Sequence, residues 1–399
     1  MGDGVIGCLG VREHDGLTLD TQTPLASAGA KQVITPATPT HHQLPSVRSL
    51  FQPAPGIAYL DAATYGLPPT PSVNALTQAL HRWQAGEADW VDEWDCKGES
   101  CRSHFAKLIG GAAEDIALVP TASVGVGLVA AALPEGIEVV VPDDEFTSVL
   151  FPLLVAAEHR RVRLRRVPFD DLAAAIGPET HLVAFSLTRS QDGETAALND
   201  IVAAARHHRA QLLIDATHAI PFVPIQHWLS DIDYLVCHGY KHLLCPRGVA
   251  FFHVREDHWD DIQPWLANWR AGDPPYTRSY GGSLDDLAPD ARRFDISLAW
   301  HAWAGAEPSL ALLVDWQAQG VLENVLPLAR RLASGLGLAE PSASIVSLRV
   351  HDAESAEGAL ATMGVRCAAR DGNIRLSPHV YNTVEDINRA NEALSRVGA

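Results

Sequence analysis

The sequence predicts an α/β protein: a seven-stranded, mostly parallel sheet between helices, followed by a smaller α+β C-terminal domain. Two observations carry this. Seven short apolar, β-branched runs follow one another between residues 116 and 255, and amphipathic segments separate several of them. Strands buried on both faces and alternating with helices are expected of a parallel sheet covered on each side.

Taken in order, residues 1 to 48 are rich in Thr, Ala, Pro and His (ITPATPTHHQLPS) and lack sustained periodicity, so they are expected to be a mobile leader or an arm on a partner subunit. A large domain is expected over residues 49 to 262. It opens with IAYLDAATYGLPPTP, a short strand and a turn, and a helix from Ser72 to Gln84. The seven strand runs are IALVP (116 to 120), EVVVP (138 to 142), VRLRRVPF (162 to 169), HLVAFSL (181 to 187), QLLIDAT (211 to 217), DYLVCHG (233 to 239) and VAFFHVR (249 to 255). Helices are expected at Val124 to Leu133, Val149 to Glu158 and Asn199 to His208. Residues 263 to 399 form the smaller domain, with a long helical region from about Leu298 to Leu336. It continues with strand IVSLRV, a helix near Glu354 to Met363, strand NIRLS and a terminal helix from Thr383.

Composition excludes several functions. The net charge of -18, from 30 basic and 48 acidic residues, argues against nucleic acid or an anionic membrane as partner, because phosphate binding is mostly counterion release by Lys and Arg. No apolar run reaches the length of a membrane span. Six cysteines, at 8, 96, 101, 237, 245 and 367, make no dense framework, so a reduced, cytoplasmic setting is expected. His238 and His242 have the spacing of a zinc-binding helix, but Gly239 stands where a Glu is needed and the segment follows a strand. No metal is expected.

Three features fall at strand ends, where ligands of open α/β sheets bind. Thr121-Ala122-Ser123 opens a helix; it is either a phosphate cradle or an ordinary Ser/Thr cap. Asp215 closes QLLIDAT, either as a cap or as a carboxylate awaiting a cation. Lys241 follows DYLVCHGY; a lysine at the end of a buried strand is costly as a structural residue but useful as a nucleophilic amine. Adjacent strand ends lie about 5 Å apart, so the three together can hold a small aromatic cofactor with a phosphate at one end and a basic nitrogen at the other.

YLDAA (59 to 63), TAS (121 to 123), DATHA (215 to 219), DYLVCHGYKHLLCPRGVAFF (233 to 252), ARRFD (291 to 295) and IRLSPHVYNTVEDI (374 to 387) occur in order. With them, residues 55 to 399 resemble the class V aminotransferase family, the cysteine-desulfurase-like branch of fold-type I pyridoxal phosphate enzymes. The resemblance implies pyridoxal 5'-phosphate held by Lys241 as a Schiff base, with Asp215 on the pyridinium nitrogen and His218 and Ser190 near the ring hydroxyl. It implies Ala122, Ser123 and His238 at the phosphate, Phe146 stacked on the ring and Tyr240 beside the lysine. Arg375 matches the arginine that clamps a substrate α-carboxylate, although by pattern alone it is an exposed strand charge. Gly281, in Tyr280-Gly281-Gly282, matches a loop that reaches the neighbour's cofactor, so a homodimer with a shared active site is implied.

The resemblance further implies chemistry on an α-amino acid through an external aldimine and a Cα carbanion. YKHLLCPRG and RLSPHVYNT look most like C-S lyase and isopenicillin-epimerase-like members. That places β- or γ-elimination or replacement, in specialised metabolism, ahead of transamination and epimerisation; a non-catalytic homologue is the other alternative. Arg189 departs from the neutral residue usual in its segment. It is expected either to receive a second anionic group of the substrate or to be a surface charge. Cys367 lacks the loop of a desulfurase nucleophile and is expected to be a core residue.

Overall fold

The computed structural model describes residues 47 to 276 and 279 to 397, so the leader lies outside the described residues except for its last two. A short strand β1 (Ala58–Tyr59) precedes helices α1 (Thr70–Ala85) and α2 (Cys96–Ile109). The main sheet follows as β2 (Ile116–Val119), β3 (Glu138–Pro142), β4 (Arg163–Val167), β5 (Thr180–Ser186), β6 (Gln211–Asp215), β7 (Tyr234–His238) and β8 (Ala250–Val254). Helices α3 (Ala122–Ala132), α4 (Thr147–Arg160) and α5 (Leu198–His208) connect them. Each of the seven predicted runs is a strand. Their spatial order is β2-β8-β7-β6-β5-β3-β4, with β8 antiparallel to both its neighbours and every other pair parallel.

Alternation along the strands divides the core. Leu118, Phe185, Ile214, Cys237 and Phe251 point to one face, and Val119, Ala184, Leu213, Val236 and Phe252 to the other. The first face is covered in part by α2 and by α6 (Trp300–Ala318), whose Trp303, Leu310 and Leu313 share that core; the second is covered by α3 and α4. Edge strand β4 departs from the pattern: Arg163, Arg165 and Arg166 are exposed, charges that discourage pairing with another chain's edge.

The long helical region expected from about Leu298 to Leu336 is two helices, α6 and α7 (Val325–Gly335). Gly320, at a φ of 70°, turns the chain between them. Beyond lie β9 (Val346–Arg349), α8 (Ala353–Thr362), β10 (Val365–Arg366), β11 (Ala368–Arg370), β12 (Asn373–Leu376) and α9 (Val384–Arg396). Thr383 caps α9 in a capping box with Asp386. Strand β12 is central in an antiparallel β11-β12-β9 sheet, and β1 runs parallel to β10, so the YLDAA segment lies along this layer. No helix among the described residues is long and apolar enough to cross a membrane.

Candidate active site

Strand β7 delivers Lys241 three residues past its carboxyl end. The side chain is 7% exposed, and Nζ lies 2.8 Å from His218 Nε2. The Phe146 and Tyr240 ring centroids are 5.4 and 5.8 Å from Nζ. Burial pushes the amine down to about 8, with the charge of Asp215 opposing and that of Arg375 adding to the fall. The backbone here is closely packed. Gly66 N–H donates to the Tyr240 carbonyl at 3.0 Å, and a Cβ on Gly66 would sit 2.2 Å from the Lys241 carbonyl oxygen, so only glycine permits the approach.

Asp215 ends β6, in register with Ser186 of β5 and Val236 of β7. It is 6% exposed, and its Oδ1 accepts from the Thr217 N–H at 2.9 Å. Burial pushes the carboxyl up, against the donors of Thr217 and the charge of Lys241. Among the described residues it accepts a hydrogen bond from no cation. A buried carboxyl so placed fits a protonated ring nitrogen.

Thr121 stands at the N-cap of α3, but its side chain makes no capping bond; its Oγ1 lies 3.0 Å from Ser123 Oγ instead. The Ala122 N–H points at His238 Nε2, 3.3 Å away. Helix α3 comes this close because Gly125 packs on the sheet: a Cβ there would meet Val236 at 2.7 Å and Phe252 at 2.8 Å. Nδ1 of His238 and Nδ1 of His218 are buried with no hydrogen-bond partner. A buried imidazole nitrogen left over beside a helix N-terminus, at His238, and another at His218 beside Lys241 suit a polar, anionic guest, so the residues present fit the cofactor that the resemblance implies.

Arg375 is not an exposed strand charge. It is 1% exposed, because Ile374 and Leu376 turn into the C-terminal core and alternation aims Arg375 the other way, at residues 61 to 64 and 190. Its Nη1 donates to the Ser190 carbonyl (2.6 Å) and Oγ (3.0 Å), its Nη2 donates to Thr64 Oγ1 (2.6 Å), and Nε is unpaired. Burial pulls the guanidinium down to about 10, with Asp61, 4.0 Å away, opposing. Ser190 therefore meets Arg375 directly.

Beside Ser190 lies a cavity of about 150 Å³ bounded by Asp144, Glu145, Phe146, Ser186, Arg189 and Arg370, among others. Glu145 was not foreseen from sequence. Its carboxyl accepts from the Ser186 N–H (2.8 Å), the Ser186 hydroxyl (2.5 Å) and the Phe146 N–H (2.7 Å), and burial raises it to about 7. Thr64 and Asp61 lie in the segment IAYLDAATYGLPPTP without an assigned role. Nothing in a single sequence shows that they meet Arg375.

The other expected residues are placed as follows. Arg189 lines the cavity, but its guanidinium pairs with Asp144 (2.9 Å), Glu194 (3.0 Å) and Asp192 rather than standing free for a substrate anion. Gly281, at a φ of 69°, lies in a loop bordering a separate open cavity of about 1010 Å³ with Trp269 and Pro274. Cys367 is buried in the C-terminal core, which pushes its thiol up to about 12, so it is a core residue. His242, between His218 and His379, is fully buried and packs against both rings.

The aminotransferase class-V family model matches residues 58 to 277. An uncharacterised aminotransferase of Bacillus subtilis strain 168, YcbU, is 27% identical over 312 residues, covering 74% of this chain and 82% of that protein. A probable cysteine desulfurase of Aeropyrum pernix is 25% identical, covering 86% of this chain and 94% of its own length. The isopenicillin N epimerase of Streptomyces clavuligerus is 30% identical, but over 47% of this chain and 51% of the epimerase. Among solved structures, the cystine C-S lyase C-DES in complex with cysteine persulfide superposes with a TM-score of 0.77. It covers 85% of this chain and 97% of the lyase at 20% identity, and so shares the fold. With more than half of its length matched by the family model, and the lysine and carboxylate brought together at the ends of neighbouring strands with Arg375 of β12 acting on the lysine, this chain belongs to the aminotransferase class-V family.

Proposed function

We propose that the protein is a pyridoxal phosphate enzyme acting on an α-amino acid by β- or γ-elimination or replacement. Lys241 carries the reading: a buried amine lowered to about 8, 2.8 Å from His218, just past the end of the strand next to the one that buried Asp215 closes. When bound, the cofactor supplies an electron sink for negative charge developing at the substrate Cα. Lys241 holds the cofactor through Nζ, and the same amine, with His218 beside it, moves a proton at Cα. Asp215 pairs with the ring nitrogen, Phe146 covers a ring face, Tyr240 flanks the lysine, and Ala122, Ser123 and His238 hold the phosphate. Ser190 and Thr64 orient Arg375 toward the substrate α-carboxylate, for which a guanidinium fork is suited. Arg375→Ala should weaken amino-acid binding by tenfold or more while the absorbance of bound cofactor persists; unchanged binding in a spectral titration would remove that role.

The elimination reading is supported by YKHLLCPRG and RLSPHVYNT and by the fold shared with a cystine C-S lyase. Transamination or epimerisation on the same scaffold is the alternative, favoured by the epimerase relatives at 30% and 25% identity. Protein reconstituted with pyridoxal phosphate and offered amino acids, including sulfur-containing and sulfonium ones, decides between them. Elimination releases a keto acid and ammonia with no keto-acid acceptor present, transamination requires the acceptor, and epimerisation returns the enantiomer. A protein that forms no long-wavelength cofactor band is a non-catalytic homologue. The working unit is a homodimer, with the exposed loop of Tyr280, Gly281 and Leu284 reaching the neighbour's phosphate end.

A further inference from the structure

The cavity beside Phe146 and Ser190 is lined by Arg189 and Arg370, and Arg375 lies behind its Ser190 wall; the three charges are spent differently. Arg189 is neutralised by Asp144, Asp192 and Glu194. Arg375 is buried, with Asp61 at 4.0 Å. Arg370, at the end of β11, is exposed at the cavity mouth, and its guanidinium meets only neutral oxygens: the Ala369 carbonyl at 2.7 Å and Thr64 Oγ1 at 3.2 Å. Among the described residues no carboxylate lies within ion-pair distance of it, although Asp371 follows it in the cavity wall.

Thr64 is the link. Its single hydroxyl oxygen accepts from Arg375 Nη2 at 2.6 Å and from Arg370 Nη2 at 3.2 Å, which sets two guanidiniums side by side on one small residue. Two cations this close repel, and each would gain from an anion in front of it. The nearby acids offer little: Asp61 is 4.0 Å from Arg375 and attracts Arg370 only from beyond ion-pair distance. Glu145 turns both oxygens onto Ser186 and the Phe146 N–H, and Asp144 is taken by Arg189 and Gln191. The cavity of about 150 Å³ has the volume of roughly five waters, enough for a short polar side chain.

We propose that Arg370 is a specificity-determining residue that pairs with a second anionic group, a side-chain carboxylate or comparable oxyanion, on an amino acid whose α-carboxylate is held by Arg375. The proposal rests on the pyridoxal phosphate reading above and narrows its substrate class to acidic amino acids. It also assigns the second-anion contact expected of Arg189 to a different arginine, five residues before Arg375 on the same hairpin.

The test is a spectral titration of reconstituted holoenzyme with aspartate and glutamate against their uncharged isosteres asparagine and glutamine. Wild-type protein should bind at least one acidic member about five- to tenfold more tightly than its amide, the scale of one charge-assisted hydrogen bond at a partly solvated mouth. Arg370→Gln should erase that preference without changing affinity for the amides or the cofactor band, and Arg370→Lys should restore part of it. Equal binding of acids and amides by the wild-type protein overturns the proposal, as does a glutamine variant that keeps the preference or weakens both classes alike. Absence of a cofactor band in the wild-type protein overturns the pyridoxal phosphate reading itself and this proposal with it, whereas a normal band without acid preference overturns this proposal alone.

Discussion

Lys241→Ala is expected to abolish the long-wavelength absorbance of reconstituted protein, to leave nothing for borohydride to trap, and to remove turnover. Among the described residues no other lysine is close to Asp215 and His238, so no second amine can take over. The wild-type pH profile follows from the same side chain. Burial holds the amine at about 8, and only the unprotonated form attacks a carbonyl carbon. Cofactor attachment to apoprotein should therefore speed up as pH rises through about 8 and level off above it. A midpoint near the ordinary lysine value of about 10.4 would show that the amine is not held as the structure has it.

Asp295→Ala should cost about 3 to 5 kcal/mol of stability, read as a lowered urea midpoint, because it leaves two buried guanidiniums short of their shared carboxylate. Asp295 is fully buried; it pairs with Arg102 at 2.6 Å and with Arg270, and accepts from the Leu118 N–H at 2.7 Å. Arg270 continues to Asp95 at 3.0 Å, which also takes the Trp300 indole N–H at 2.9 Å. Burial opposes it, but Arg102 and Arg270 hold the Glu99 carboxyl below the usual range. This network ties α2, strand β2 and the start of α6 together, and β2 leads straight into Thr121-Ala122-Ser123. A loss under about 1 kcal/mol would mean that the chain relaxes around the missing carboxylate.

The same network explains an element that periodicity did not reveal. Helix α2, CKGESCRSHFAKLI, carries Arg102 on its buried side along with Cys101, Phe105 and Ile109. An arginine reads as a surface residue unless its partners are known, and Asp295 lies 193 positions away. Six of the seven strands were legible as short apolar runs that the sheet buries on both faces, and the edge strand β4 as a β-branched run broken by arginines. The split at Gly320 was not, since one glycine in a helical pattern is compatible with continuation.

What the sequence determined by itself was the sheet, the helices between its strands, and the presence of a lysine, an aspartate and a Thr-Ala-Ser turn at strand ends. Those are local properties, set by the period of apolar residues and by where it stops. Only the tertiary structure decided that Arg375 is buried against Ser190 and Thr64, that Arg189 is spent on three carboxylates while Arg370 is not, and that Glu145 lies under the cavity. The reason is physical. A charged side chain takes its character from the groups that neutralise it, and here several of those come from segments distant along the chain.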